Sequence, residues 1–241
     1  MATDPYDRET VQRQRGPMPL PLEPGAAVER WTPAGPIRIV GSSERVDELA
    51  VQTAATVGDA APLGLAGFAA ATFTVSTINA GWIGSAALIA CVPILAVFGG
   101  ITQFIAGMWS YRKGDTFGAT AFGSFGAFNT LFAAMIVMNQ MGTISLTSEP
   151  VVAATGVILL MFALIAAYLT VAASRVSGVL VAVLGVLALT YLLLGVGFLA
   201  GGANGWIVIG GYAGLVTSVL AFYASAAIVL NSTARHEMLP F

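Results

Sequence analysis

The side chains able to do chemistry inside the apolar stretches of this chain are amides and hydroxyls, chiefly Thr72, Gln103, Ser124 and Asn129. Such groups donate and accept hydrogen bonds without changing charge. They orient a solute or tie one helix to another, and for all four residues both roles stay open. No Asp, Glu, Lys, Arg or His falls within these stretches, and the only histidine, His236, stands near the carboxyl end. Proton relays and ion-pair transport sites use ionisable groups inside the membrane, and acid–base or metal chemistry uses titratable or ligating ones. The sequence therefore offers no catalytic residue, no metal site and no cofactor site. What remains is a route lined by backbone amides, hydroxyls, Asn and Gln amides and aromatic rings, which suits a small neutral or weakly anionic solute.

The elements that must position these groups follow from where the charges are. Charges cut the chain into the stretches 60–111, 116–148, 150–174 and 176–234. An apolar helix needs about 20 residues to cross the hydrocarbon layer, so these hold two, one, one and two spans. The two long stretches break at Asn79-Ala80-Gly81-Trp82 and at Gly201-Gly202-Ala203-Asn204-Gly205-Trp206, where Gly and Asn interrupt a helix and Trp favours the membrane interface. With the amino-terminal segment inside, Arg112, Lys113, Arg175 and Arg235 fall on the inner side and the outer connections carry only Glu149, as the positive-inside rule requires. The expected architecture is an all-α integral membrane protein of six transmembrane helices with both ends cytoplasmic.

Composition excludes a soluble domain, with 57% hydrophobic and 9% charged residues. The net charge of -2 arises in the amino-terminal segment, and no nucleic-acid surface is apparent. The single cysteine, Cys91, is expected mid-span as a small core residue. Residues 1–58 form a Pro-rich charged cytoplasmic tail, with seven of the eleven prolines before Ile37. Disorder is expected to about residue 36. Val46, Leu49, Ala50 and Thr53, at helical spacing behind Ser42 and Ser43, suit a short interfacial or surface helix. Nothing in the segment reads as a signal peptide. Residues 59–234 make the six-helix transport domain and 235–241 a second cytoplasmic tail. Asn231-Ser232-Thr233 matches a glycosylation sequon but lies on the expected inner side, where it has no meaning.

Small residues recur at four-residue spacing as Ala119, Gly123 and Ala127 and as Gly210, Gly214 and Ser218, so helix backbones can approach closely within a protomer or between subunits. Two segments stand out. Ala61-Pro62-Leu63-Gly64-Leu65-Ala66-Gly67-Phe68 opens the first span, with Pro62 in the first turn, and the free amides of that helix start suit a carboxylate. The second runs from Gly99 to Trp109 and, through the charged connection, to Ser124-Phe125-Gly126-Ala127-Phe128.

At these residues the chain resembles the acetate uptake transporter family, also called succinate-acetate permeases. The likeness runs from about Asp59 to the carboxyl end. The family signature Asn-Pro-Ala-Pro-Leu-Gly-Leu is matched at Ala61 to Leu65, with Asp59 and Ala60 in place of its first two residues. The resemblance implies a plasma (inner) membrane protein, a homohexamer in the lipid bilayer, and a pore in each subunit for acetate, succinate or a related small carboxylate. It implies a hydrophobic constriction of Phe68, Phe125 and Leu184, and a substrate route past Pro62, Leu63, Gly64, Leu65, Thr72, Gln103, Ser124 and Asn129. Phe125 stands where relatives usually carry Tyr, and Asn129 where Trp is common. Periodicity alone would make the three constriction residues ordinary packing positions. An apolar ring gates by excluding water. With no titrating residue on the route, any proton would travel on the substrate or through water. Two other readings are a channel for ammonia or formate, and a structural partner in a membrane complex that docks through the amino-terminal segment.

Overall fold

The computed structural model describes residues 27–32, 35–40 and 58–241. The chain divides into two units, Met1–Gly58 and Asp59–Phe241. In the first, strands β1 (Ala27–Thr32) and β2 (Gly35–Val40) pair antiparallel in a register running from Ala27 opposite Val40 to Thr32 opposite Gly35. Val28, Trp31, Thr32, Ile37, Ile39 and Val40 are residue types that favour extended chain. The hairpin starts inside the stretch where the sequence reading expected disorder. The rest of that stretch, and the helix expected behind Ser42 and Ser43, lie outside the described residues.

The second unit is helical throughout. Six helices are long and apolar enough to cross a membrane: α1 (Ala61–Asn79), α2 (Ile94–Lys113), α3 (Thr116–Gln140), α4 (Glu149–Ala173), α5 (Gly178–Leu199) and α6 (Gly205–Ala234). Most of their boundaries fall at the breaks the sequence marks, while α2 starts further on, at Ile94. Asp115 caps α3 by accepting from the Gly118 amide at 2.9 Å, Ser177 caps α5 through Val179, and Asn204 caps α6 through Trp206 and Ile207. Gly114, at φ +82°, ends α2 in the left-handed region and lets the chain reverse directly into α3. Large apolar side chains such as Val157, Leu164, Val171 and Val219 stay exposed, as lipid-facing positions do. This is a multi-pass membrane protein.

The second span departs from the expected plain helix. Ser85–Cys91 is a 3-10 helix lying ahead of the span, so Cys91 is buried there and not mid-span. Pro93 precedes the span, whose first nine residues, Ile94–Thr102, wind as a π-helix before α-helix resumes at Gln103–Lys113. Such widened turns are uncommon and cluster at functional sites.

The helices pair α4 with α5, α1 with α6, α5 with α6 and α2 with α3. The small-residue rows serve these contacts within one protomer. A β-carbon on Gly210 would fall 2.7 Å from a Leu194 methyl, and one on Gly107 would fall 2.7 Å from the Gly123 amide nitrogen. The end of the first row differs, because Ala127 is exposed beside Ile101, Phe104 and Leu131. Because the atoms facing Gly107 are backbone, Gly107→Ala must push α2 and α3 apart. It is expected to cost about 1–3 kcal/mol, seen as a lower Tm in detergent; an unchanged Tm would contradict this packing.

Candidate functional site

Two cavities occupy the interior of the membrane unit. The larger, of about 460 Å³, lies toward the end that carries Lys113 and Arg175, and Asp59, Lys113, Asp115, Asn231 and Phe241 form its polar rim. Further in, its wall is apolar, with Leu65, Phe68, Phe122, Phe125 and Leu184 among the lining side chains, and Gln103 as the polar exception. The smaller, of about 60 Å³, has room for a few waters and is lined by Thr72, Ser76, Asn79, Asn129, Thr190 and Tyr191 together with apolar residues. Leu187 forms part of both walls.

Aromatic rings from the two walls meet in one cluster. The Phe68 and Phe125 rings are 5.8 Å apart, and Phe125 in turn lies 6.2 Å from Tyr191 and 6.4 Å from Phe162. Phe128 closes the group, edge-on to Tyr191 at 5.2 Å. These offset and tilted contacts suit the ring quadrupoles and add to the burial each ring contributes. Phe68, Phe125 and Leu184 come from α1, α3 and α5, and all three are buried on the wall of the same cavity.

Beside the rings lies an amide pair. Asn129 Nδ2 donates to the Gly99 carbonyl at 3.1 Å and to Gln103 Oε1 at 3.2 Å, so α3 is tied to the π-helical turn of α2. Both side chains are buried, and Gln103 Nε2 is the buried side-chain polar atom left without a hydrogen-bond partner among the described residues. Leaving such a donor unpaired costs about 1–3 kcal/mol.

Each of the remaining expected positions has a definite place. Leu65 lines the larger cavity and Thr72 the smaller. Pro62 lends its carbonyl to Ser225 Oγ at 2.7 Å, joining α1 to α6, and Gly64 makes room for the Phe122 ring. Leu63 is 48% exposed, and it and Ser124 stand on neither cavity wall. The start of α1, expected to hold a ligand carboxylate, is taken by the protein's own: the Ala61 amide donates to Asp59 Oδ1 at 3.1 Å, and Lys113 Nζ sits 3.4 Å from the same oxygen. With side chains 41% and 44% exposed, that ion pair adds little stability and serves to place charge at the rim.

Sequence reasoning passed over Tyr191 and the tail-holding role of Asn231. The signal for Tyr191 was a polar-tipped ring in an otherwise apolar run. Asn231 was set aside as a meaningless sequon, yet its side chain folds the carboxyl tail back. Its Nδ2 donates to the Leu239 carbonyl at 2.8 Å, while the Met238 and Leu239 amides donate to its Oδ1 at 2.8 and 3.0 Å. Tyr223 adds a bond from its hydroxyl to the Pro240 carbonyl at 2.7 Å, and Phe241 comes to rest on the cavity rim.

Comparison with known proteins decides the family. The model of the GPR1/FUN34/yaaH family matches residues 43–240. The chain belongs to this family. The succinate-acetate/proton symporter SatP of Escherichia coli (strain K12) is 33% identical over 180 residues, which cover 75% of this chain and 93% of that protein. The solved structure of the bacterial acetate channel SatP superposes with a TM-score of 0.71 at 31% identity, covering 77% of this chain and 99% of that one. Another family member, the ammonia transport outward protein 2 of Saccharomyces cerevisiae, is 33% identical over 184 residues, covering 75% of this chain and 65% of its own.

The tail gives a direct test. Asn231→Ala removes three hydrogen bonds, together worth about 1–3 kcal/mol, while leaving α6 intact. Carboxypeptidase trimming of Met238–Phe241, followed by intact mass, is expected to accelerate about tenfold or more.

Proposed function

We propose that this chain carries acetate and similar short carboxylates, succinate among them, across the cell membrane through a pore in each subunit. The observation that carries the reading is a pair of cavities whose walls meet in one aromatic cluster, with Phe68, Phe125 and Leu184 buried on the wall of the larger; we read these three as an apolar ring between the two. Membership of a family that includes a succinate-acetate symporter and an acetate channel supports the choice of solute. A ring of this kind closes by excluding water. A methyl group tolerates its wall, and the positive edges of aromatic rings tolerate a carboxylate.

A short carboxylic acid, with a pKa of about 4–5 like a side-chain carboxyl, is ionised almost completely at neutral pH. The span interiors hold no Asp, Glu, Lys, Arg or His to protonate it. Facilitated passage is the reading this favours, with any coupled proton carried by the solute or by water.

The rest of the assembly is proposed on the same footing. Arg112, Lys113, Arg175 and Arg235 all sit at one end of the bundle, which makes that end and both tails cytoplasmic by the positive-inside rule. Six copies in the plasma membrane, each with its own pore, is the assembly the family resemblance favours. The exposed face around Ala127, Phe104 and Leu131 is available to a neighbouring copy.

Labelled acetate uptake into proteoliposomes is expected to exceed that of empty vesicles and to fall in the presence of excess unlabelled succinate; uptake equal to empty vesicles sinks the reading. The name of the yeast relative favours ammonia as the alternative solute, and ammonium that competes where acetate does not would select it. Leu184→Ala is expected to raise acetate flux severalfold by widening the ring. If Leu184 were packing alone, the same change would cost about 2–5 kcal/mol of stability with no gain in flux. Deleting residues 1–36 is expected to leave uptake unchanged, since the pore residues all lie beyond Gly58.

A further inference from the structure

We infer that Gln103 is the donor that receives the carboxylate at the partition, and that Asn129 is the positioning residue that aims it. The inference rests on the carboxylate reading above and names the atoms that make it selective.

The aim of the amide follows from a chain of hydrogen bonds that begins at the backbone. The Gly99 carbonyl only accepts, so the Asn129 group 3.1 Å from it is the amino group. The second hydrogen of that group needs an acceptor, and the Gln103 atom 3.2 Å away is therefore the carbonyl oxygen. Turning the Gln103 amide over would set two amino groups against each other. Its own amino group must then point away from Asn129, and there it meets no protein acceptor. Amide orientation is ordinarily an assignment from such networks, and here a backbone carbonyl anchors it.

Position supplies the second half of the argument. Gln103 lines the larger cavity and Asn129 the smaller, so the pair bridges the partition that Phe68 and Phe125 close. Gly126, next to Phe125, abuts the Phe104 amide and the Gly100 carbonyl, which sets Gln103 at the level of the rings. With the rings together Nε2 is shut off from water. It becomes available when they part, which is when a solute passes. A free N–H pair takes an acceptor: a carboxylate oxygen satisfies it, and ammonium, which has only donors, does not. The pair thus acts as a polarity filter inside an uncharged route, and Asn129 does this work at a position where the resemblance leads one to expect an indole.

The full chain in proteoliposomes tests this through the acetate KM and maximal rate. Gln103→Met keeps the bulk and removes the donor. Asn129→Asp, held neutral in its buried setting, donates to Gly99 and accepts from Gln103, so the Gln103 amide turns and presents its oxygen. Each is expected to raise the acetate KM about tenfold or more, the scale of a lost hydrogen bond to a charged group, with a much smaller change in maximal rate and in Tm. Asn129→Asp should also let methylammonium slow acetate uptake, which it does not in the unaltered chain. A purely structural pair predicts lower Tm and lower maximal rate at unchanged KM, and that result in the variants overturns the inference while leaving acetate transport standing. Unaltered protein that carries no acetate overturns the transport reading and this inference together. Should Gln103→Met fail to fold, Asn129→Asp decides alone, because it retains both hydrogen bonds.

Discussion

Within a bilayer no water is at hand to satisfy a polar group, so every backbone and side-chain dipole must find its partner in the protein. The six helices answer this for the backbone, and their hydroxyls follow suit. Thr74, Thr130, Thr155, Thr170, Thr190 and Thr217 each donate to the carbonyl four residues earlier in their own helix. Helix ends, where four groups go unpaired, are handled by Asp115, Ser177 and Asn204 outside the apolar spans. Against so complete an accounting, one orphan amino group on Gln103 is conspicuous. It stands beside the sole π-helical stretch among the described residues, where the Gly99 carbonyl accepts from a side chain of another helix.

The same economy explains the division of the interior. Polar atoms gather at the rim of the larger cavity, while the Phe68 and Phe125 rings on its inner wall need no partner. A residue that must face the route without a partner is costly to keep, which limits the number of such residues. Asp59 fills the start of α1 with its own carboxylate, and the Asn129 amide is bonded to Gln103. Tyr191, from α5, lies against Phe125.

Much of this was legible from particular residues. The Gly- and Asn-rich breaks before Trp82 and Trp206 fall at the helix ends, and Pro62 lies in the first turn of α1. Phe68, Phe125 and Leu184 do share a wall. Less legible was anything depending on neighbours remote in sequence. Leu63 and Ser124 sit in the right motifs but face away from the cavities, because rotation of a helix about its axis is set by what it packs on. Cys91 was placed mid-span since an apolar run has the same composition whether it winds as 3-10, π or α-helix. The part Asn231 plays was not legible because its hydrogen-bond partners, the Leu239 carbonyl and the Met238 and Leu239 amides, lie beyond the end of its helix, in a tail whose return no local pattern announces.

The sequence by itself determined the number of spans, most of their ends and the side of the bundle that is basic, because transfer of apolar length and charge into lipid is a local property that each segment settles alone. Only the tertiary structure decided which polar atom inside the bundle would be left without a partner. That depends on the meeting of Gly99, Gln103 and Asn129 across two helices, and hydrogen-bond geometry has no counterpart in composition or spacing.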